Sequence, residues 1–158
     1  MTNNWEIKCG DALDLIRTTR GVRGVITDPP YMLSTASKMN GAKGAKLDSW
    51  PDAMNGAYWF AKWMQEVKDI LPPNGFLVTM LNWRSVATYQ RALSMCDWEP
   101  ASLVIWDKGW IGTCGPSQYR PTYEMAFLVP MPGFTLPDRS LPDIKAVKWS
   151  SNKPHGHP

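Results

Sequence analysis

The sequence predicts an α/β domain with a mostly parallel, doubly wound sheet. Three observations support this fold class. Short apolar runs rich in β-branched residues, such as VRGVITD at residues 22–28, are typical of strands that are covered on both faces. Stretches with helical spacing of apolar residues separate several of these runs. The length of 158 residues suits one domain with one hydrophobic core.

Five apolar runs are predicted to be strands, because glycine, proline or polar residues interrupt the chain around them. They are residues 5–8, 22–28, 76–81, 102–106 and 123–129. A short helical turn is expected around residues 13–16, and longer helices at residues 56–71 and 84–95. Asn55 is the predicted N-cap of the helix that starts at residue 56, and the sequence PPNG ends that helix.

Two segments have no clean periodicity. Residues 32–54 are rich in small residues, glycine and lysine, and we expect a mobile loop there. Residues 130–158 are rich in proline and are expected to be extended or loop-like. The chain is therefore divided into an α/β domain at residues 1–129 and a proline-rich segment at residues 130–158.

Composition limits the classes of protein to consider. The chain is 44% hydrophobic and 20% charged, as in soluble globular proteins. No apolar run is long enough to span a membrane, and the first residues lack the features of a secretory signal. We therefore expect a cytoplasmic protein without membrane association. The net charge of +3 permits binding to a polyanion without requiring it.

Cysteine and histidine placement argues against a disulfide framework and against a metal site. The three cysteines are scattered along the chain, which favours reduced thiols. The two histidines lie together near residue 158, far in sequence from every cysteine. We therefore expect no metal ligands.

The sequence Asp28-Pro29-Pro30-Tyr31 follows the second predicted strand and offers a specific chemistry. Ligand sites in sheets of this kind lie beyond the carboxyl ends of the strands. Asp28 supplies a carboxylate acceptor, and the two prolines fix the backbone and have no backbone N–H to donate. Tyr31 supplies a flat face for stacking. Together these groups suit a planar exocyclic amino group.

An adenine or cytosine amino group is a poor nucleophile, because its lone pair is delocalised into the ring. The Asp28 carboxylate and the Pro29 carbonyl could accept hydrogen bonds from both of its N–H groups and direct the lone pair at an electrophile. A base inside a duplex cannot reach such a pocket, so it would have to be flipped out.

With these residues in place, the chain resembles the DNA amino-methyltransferases, which modify adenine N6 or cytosine N4. The resemblance rests on DPPY and on four further stretches in one order: CGDALDLI, LVIWDKG at residues 103–109, QYRPTYEMAFLV at residues 118–129, and NKPHGHP. Tyr123 stands where the family often has histidine, while Glu124 is kept. The resemblance implies a Rossmann-like, S-adenosylmethionine-dependent methyltransferase sheet, with residues 1–129 as its catalytic domain.

The resemblance also implies roles for individual residues. Asp28, Pro29, Pro30 and Tyr31 would be catalytic, and Asp11, Ala12 and Asp28 would contact S-adenosylmethionine. An alternative for Asp11 is that it only caps a helix.

Four basic residues would contact DNA, and they are Lys38, Lys43, Lys46 and Arg120. The three lysines could equally form a solvated loop, and Arg120 could instead pair with Glu124. Asn82 and Trp83, at the end of a predicted strand, could edge the cofactor or base pocket.

The expected activity is methyl transfer to a flipped base in double-stranded DNA. Adenine N6 is preferred to cytosine N4, and a phage or bacterial restriction-modification system would fit such a compact enzyme. One alternative is a non-catalytic or partner-dependent nucleic-acid-binding subunit. The other is an α/β domain in which DPPY is only a turn.

The glycine-rich turn that carries much of the family's cofactor site is absent from these 158 residues. The chain could be a fragment, which is the favoured interpretation. Alternatively, a homodimer partner or a second chain completes the cofactor site, or the chain is a shortened, inactive relative.

Overall fold

The computed structural model describes residues 5–30, 53–109 and 114–147. Tyr31, the three lysines Lys38, Lys43 and Lys46, and the stretch NKPHGHP therefore lie outside the described residues. The helices and strands, in chain order, are α1 Ala12–Thr18, β1 Gly24–Thr27, α2 Ala53–Ile70, β2 Phe76–Leu81, a 3₁₀ turn Trp83–Ser85, α3 Val86–Met95, β3 Ser102–Asp107, β4 Tyr123–Pro130 and β5 Ile144–Ala146.

The strands form one sheet in the order β1-β2-β4-β3-β5. β1 is parallel to β2, and β5 is parallel to β3. β4 lies between β2 and β3 and is antiparallel to both. The predicted α/β fold with a mostly parallel sheet is confirmed, since four of these five strands run in one direction. No helix is assigned between β3 and β4 in the described residues, which is compatible with antiparallel neighbours because they need no crossover.

The hydrophobic core lies between the sheet and the helices α2 and α3. Along β2, Leu77, Thr79 and Leu81 are buried, and this period of two marks the face that meets the helices. Phe60 and Met64 of α2 are fully buried in the same cluster. The ring of Phe60 packs 4.2 Å from the ring of Tyr89 on α3, measured between centroids.

The pairing of β1 with β2 brings the Phe76 ring close to Gly24. Gly24 lies opposite Phe76, and a Cβ atom at residue 24 would overlap the Phe76 ring. Ile26, on the same strand, is 75% exposed. Within the described residues, β1 has a strand on one side only.

Two predictions about the elements are wrong, whereas the proline-rich segment is extended or loop-like in its described part, as expected. Residues 5–8 form no strand: the side chain of Ile7 is 83% exposed, and strand geometry requires a hydrogen-bonded neighbour. α2 begins at Ala53, so Asn55 lies inside the helix and not at its N-cap. The proline-rich segment contains β5, whose three residues are too short to show a period in sequence.

Among the residues that the structure describes, no helix combines the length and the apolar character required to cross a bilayer.

The buried Phe60 ring provides a test of this packing. Phe60→Ala should lower the free energy of unfolding by about 3–5 kcal/mol, because it removes a ring from a packed core and leaves a cavity. Urea denaturation measures the change. Tyr58→Ala, on an exposed position of the same helix, should change stability by less than about 0.5 kcal/mol. Equal losses in the two variants would contradict the assignment of the buried face.

Candidate active site

The candidate active site lies at the edge of the sheet where β1, β2 and β3 end. Asp28, Asn82 and Lys108 are the first residues after these three strands. Thr27, the last residue of β1, pairs with Thr79, two residues before β2 ends. Pro29 is buried, whereas Asp28 and Pro30 are exposed. The predicted acceptor residue Asp28 is thus accessible at this edge.

A cleft of about 550 Å³ opens beside the ends of β2 and β3. Its lining comes from the chain that leaves β2 (residues 81–84), from Lys108 after β3, and from Cys114 and residues 117–125 leading into β4. The volume falls in the usual range of small-molecule sites, about 300–1,000 Å³. The cleft is therefore large enough for a nucleobase.

The turn after β2 presents Trp83 and Arg84 to the cleft. Asn82 ends the strand: its side-chain oxygen accepts a hydrogen bond from the Arg84 backbone N–H at 3.0 Å. The Ser85 hydroxyl in turn accepts from the Asn82 N–H at 3.2 Å. This capping box starts the 3₁₀ turn, in which Trp83 remains 60% exposed. The Arg84 guanidinium carbon lies 5.2 Å from the centre of the Trp83 ring, within cation–π range.

An ion pair lies in the cleft wall. The Lys108 ammonium contacts a Glu124 carboxylate oxygen at 2.6 Å, and the two side chains are 11% and 33% exposed. The Lys108 N–H donates to the Thr122 carbonyl at 3.0 Å, which fixes Lys108 against the start of β4. From sequence, Glu124 is considered only as a partner of Arg120, and Lys108 is given no role.

The structure brings some of the predicted site residues together. Arg120, Asn82 and Trp83 all line the cleft, whereas Asp28, Pro29 and Pro30 are not among its described lining residues. Glu124, one of the two partners considered for Arg120, is bound by Lys108.

Asp11 and Ala12 lie at the start of α1, and neither appears in the described lining of the cleft. One Asp11 carboxylate oxygen accepts hydrogen bonds from the backbone N–H groups of Leu13 at 2.9 Å and Asp14 at 3.4 Å. Asp11 is therefore the N-cap of α1, which was the structural alternative for this residue. This cap occupies one carboxylate oxygen.

The described residues, 5–30, 53–109 and 114–147, contain no group of three histidine, cysteine or acidic side chains that could hold a metal ion.

Comparison with known proteins places this geometry in context. The chain matches no protein-family model. It is 24% identical over 150 residues to YubD of Escherichia coli (strain K12), a proposed methylase, and covers 61% of that protein. It superposes on the PvuII DNA methyltransferase (cytosine-N4-specific) with a TM-score of 0.65, 13% identity, and coverage of 92% of this chain and 58% of that one.

A second structural match is the M1.HpyAVI–SAM complex, with a TM-score of 0.56 and 14% identity. There the match covers 91% of this chain and 63% of the other. The chain thus spans about three fifths of the length of these proteins. The chain therefore has the fold of S-adenosylmethionine-dependent methyltransferases, which confirms the predicted fold.

The Lys108–Glu124 pair in the cleft wall should contribute to stability. Lys108→Met leaves a partly buried carboxylate without its cation, so the free energy of unfolding should fall by about 1–3 kcal/mol. In urea denaturation, Lys108→Met combined with Glu124→Gln should recover part of that loss, because the charge left behind is removed.

The matched control is the exposed Lys8–Glu6 pair, in which Lys8→Met should have almost no effect. A double variant no more stable than Lys108→Met would contradict the pairing.

Proposed function

We propose that the chain provides the catalytic part of a DNA amino-methyltransferase that uses S-adenosylmethionine. The observation that carries this proposal is the placement of Asp28-Pro29-Pro30 at the end of β1, one strand away from a cleft that can admit a base. The fold shared with methyltransferases and the similarity to YubD support it.

The chain's own residues would activate the amino group. The Asp28 carboxylate and the Pro29 carbonyl accept hydrogen bonds from its two N–H groups and turn its lone pair toward the methyl donor. Asp28 would also stabilise the positive charge that develops on the nitrogen as it takes the methyl group from the donor's sulfur, and the nitrogen would then lose a proton to solvent. Tyr31 stacks on the base, and Lys38, Lys43 and Lys46 contact DNA phosphates. No covalent enzyme intermediate is required.

The methyl donor would supply an electrophilic methyl group bound to a positively charged sulfur. The residues present fit part of such a ligand: Asp11 is exposed at the start of α1 and has a second carboxylate oxygen besides the one that caps the helix. Asp11 and Ala12 would hold the cofactor there, and Asp28 would contact it near the reacting methyl group.

The remainder of the cofactor site would come from polypeptide outside these 158 residues, either a continuation of this chain or a second chain. The length of the matched proteins supports this division. So does β1, which within the described residues has a strand on one side only and so leaves an edge with which another strand could pair.

The target we propose is adenine N6 in double-stranded DNA, within a phage or bacterial restriction-modification system. Cytosine N4 is the second candidate, because the PvuII enzyme, which this fold matches with a TM-score of 0.65, is cytosine-N4-specific. Both targets present the same amino geometry to Asp28 and Pro29. The competing class is a non-catalytic nucleic-acid-binding subunit, which would bind DNA without methylating it.

Asp28→Asn tests the catalytic role. The amide is a weaker hydrogen-bond acceptor than the carboxylate, and its own N–H groups can face the amino group as competing donors. The rate of methyl transfer should therefore fall by about 100-fold or more. Transfer of radiolabelled methyl groups to duplex DNA, under single-turnover conditions with the complete protein, measures the loss. Asp143→Asn, at an exposed position before β5, is the control and should retain full activity.

A rate for Asp28→Asn within a few-fold of the unmodified protein would remove Asp28 from the mechanism. DNA binding without any transfer by the unmodified, complete protein would favour the non-catalytic subunit.

Two substitutions at Asp11 separate its capping role from its cofactor role. Asparagine caps helices about as well as aspartate, so Asp11→Asn should leave stability unchanged, whereas Asp11→Ala should cost about 1 kcal/mol. Both variants should bind S-adenosylmethionine more weakly, because both remove the carboxylate. Calorimetric titration of the complete protein measures the affinity. If Asp11→Asn binds the cofactor normally, Asp11 is a helix cap only.

A further inference from the structure

Two pairs of neighbouring residues, each an aromatic followed by an arginine, line the cleft from different parts of the chain. Trp83 and Arg84 follow β2, and Tyr119 and Arg120 lie in the connection from β3 to β4. Neither aromatic ring is needed in the hydrophobic core: Trp83 is mostly exposed and Tyr119 is fully exposed. Exposed aromatic residues are common one at a time, but here they share one cleft with cations.

The charge of the cleft favours an anionic ligand. Its described lining contains three cationic side chains, Arg84, Lys108 and Arg120, and a single carboxylate, that of Glu124. Lys108 already contacts that carboxylate at 2.6 Å. The two arginines line the cleft, are exposed, and each stands next to an aromatic residue, so they can contact phosphate groups.

A ligand that offers a flat ring and a phosphate within one unit is a nucleotide. In a duplex, both faces of each base are covered by neighbouring bases, so an aromatic side chain cannot stack on them. Only an unpaired or extruded nucleotide exposes a face. Stacking of this kind tolerates any sequence, because every base has a π-face.

We propose that Trp83 and Tyr119 stack on unpaired nucleotides next to the flipped base, and that Arg84 and Arg120 contact their phosphates. These four residues would stabilise the opened DNA and would not read its sequence. The inference rests on the proposed function for the identity of the polymer. It differs from that function in predicting affinity for single strands that requires neither the cofactor nor Asp28.

The test is binding of fluorescein-labelled single-stranded oligonucleotides of about 12 nucleotides, measured by fluorescence anisotropy without S-adenosylmethionine. The unmodified protein should bind them, with little dependence on sequence. Trp83→Ala and Tyr119→Ala should each weaken binding by about 5- to 100-fold, whereas Trp83→Phe should retain most of the affinity because it keeps a ring. The controls are Tyr58→Ala, exposed on α2, and Arg139→Gln, exposed before β5.

The phosphate contacts have a separate signature. Arg84→Gln and Arg120→Gln should each reduce the salt dependence, by about 0.7 in the slope of log affinity against log salt concentration for a single strand. Arg139→Gln should leave that slope unchanged. Circular dichroism of each variant should match the unmodified protein, since all these positions are exposed.

The inference is overturned if the unmodified protein does not bind single strands at low salt, or if the cleft variants bind as well as the two controls. Failure of the proposed function gives a different result. In that case the cleft variants still lose oligonucleotide binding, but the complete protein transfers no methyl group. Asp28→Asn should bind single strands normally in either case.

Discussion

The parallel pairing of β1 with β2 is the constraint on which the candidate site depends. Gly24 opposite Phe76 permits this pairing, and the burial of Leu77 and Leu81 against the helices prevents β2 from shifting by one residue. Such a shift would turn the apolar face of β2 toward solvent. The position of Asp28 at the sheet edge therefore follows from the pairing of β1 with a strand that the core holds in register.

The reversed direction of β4 supplies the other wall of the cleft. Because β4 is antiparallel to β2 and β3, its first residues lie at the edge where those two strands end. Glu124 consequently meets Lys108, and the chain that approaches β4 carries Tyr119 and Arg120 to the same edge. A parallel β4 would place these residues at the opposite edge of the sheet, away from the ends of β2 and β3.

Much of this arrangement could be predicted from sequence, and the exceptions have physical causes. β2 was predicted at its observed bounds because it is a continuous apolar run between turn residues. The edge position of Asp28 followed from the apolar strand before it. The Lys108–Glu124 pair is a long-range contact that depends on the register of β3 against β4, which local patterns do not encode. Residues 5–8 have a strand-like composition, but strand geometry also needs a neighbour, and none is present among the described residues.

The central claim is methyl transfer to an amino group of a base. The most direct test is to measure modified bases in the DNA of cells that express the full natural gene of this protein. The host should lack its own adenine and cytosine-N4 methyltransferases, and its DNA should be digested to nucleosides for mass spectrometry. The account predicts N6-methyladenine, with N4-methylcytosine as the alternative product. Absence of both modified bases, in cells that contain folded protein, would contradict it.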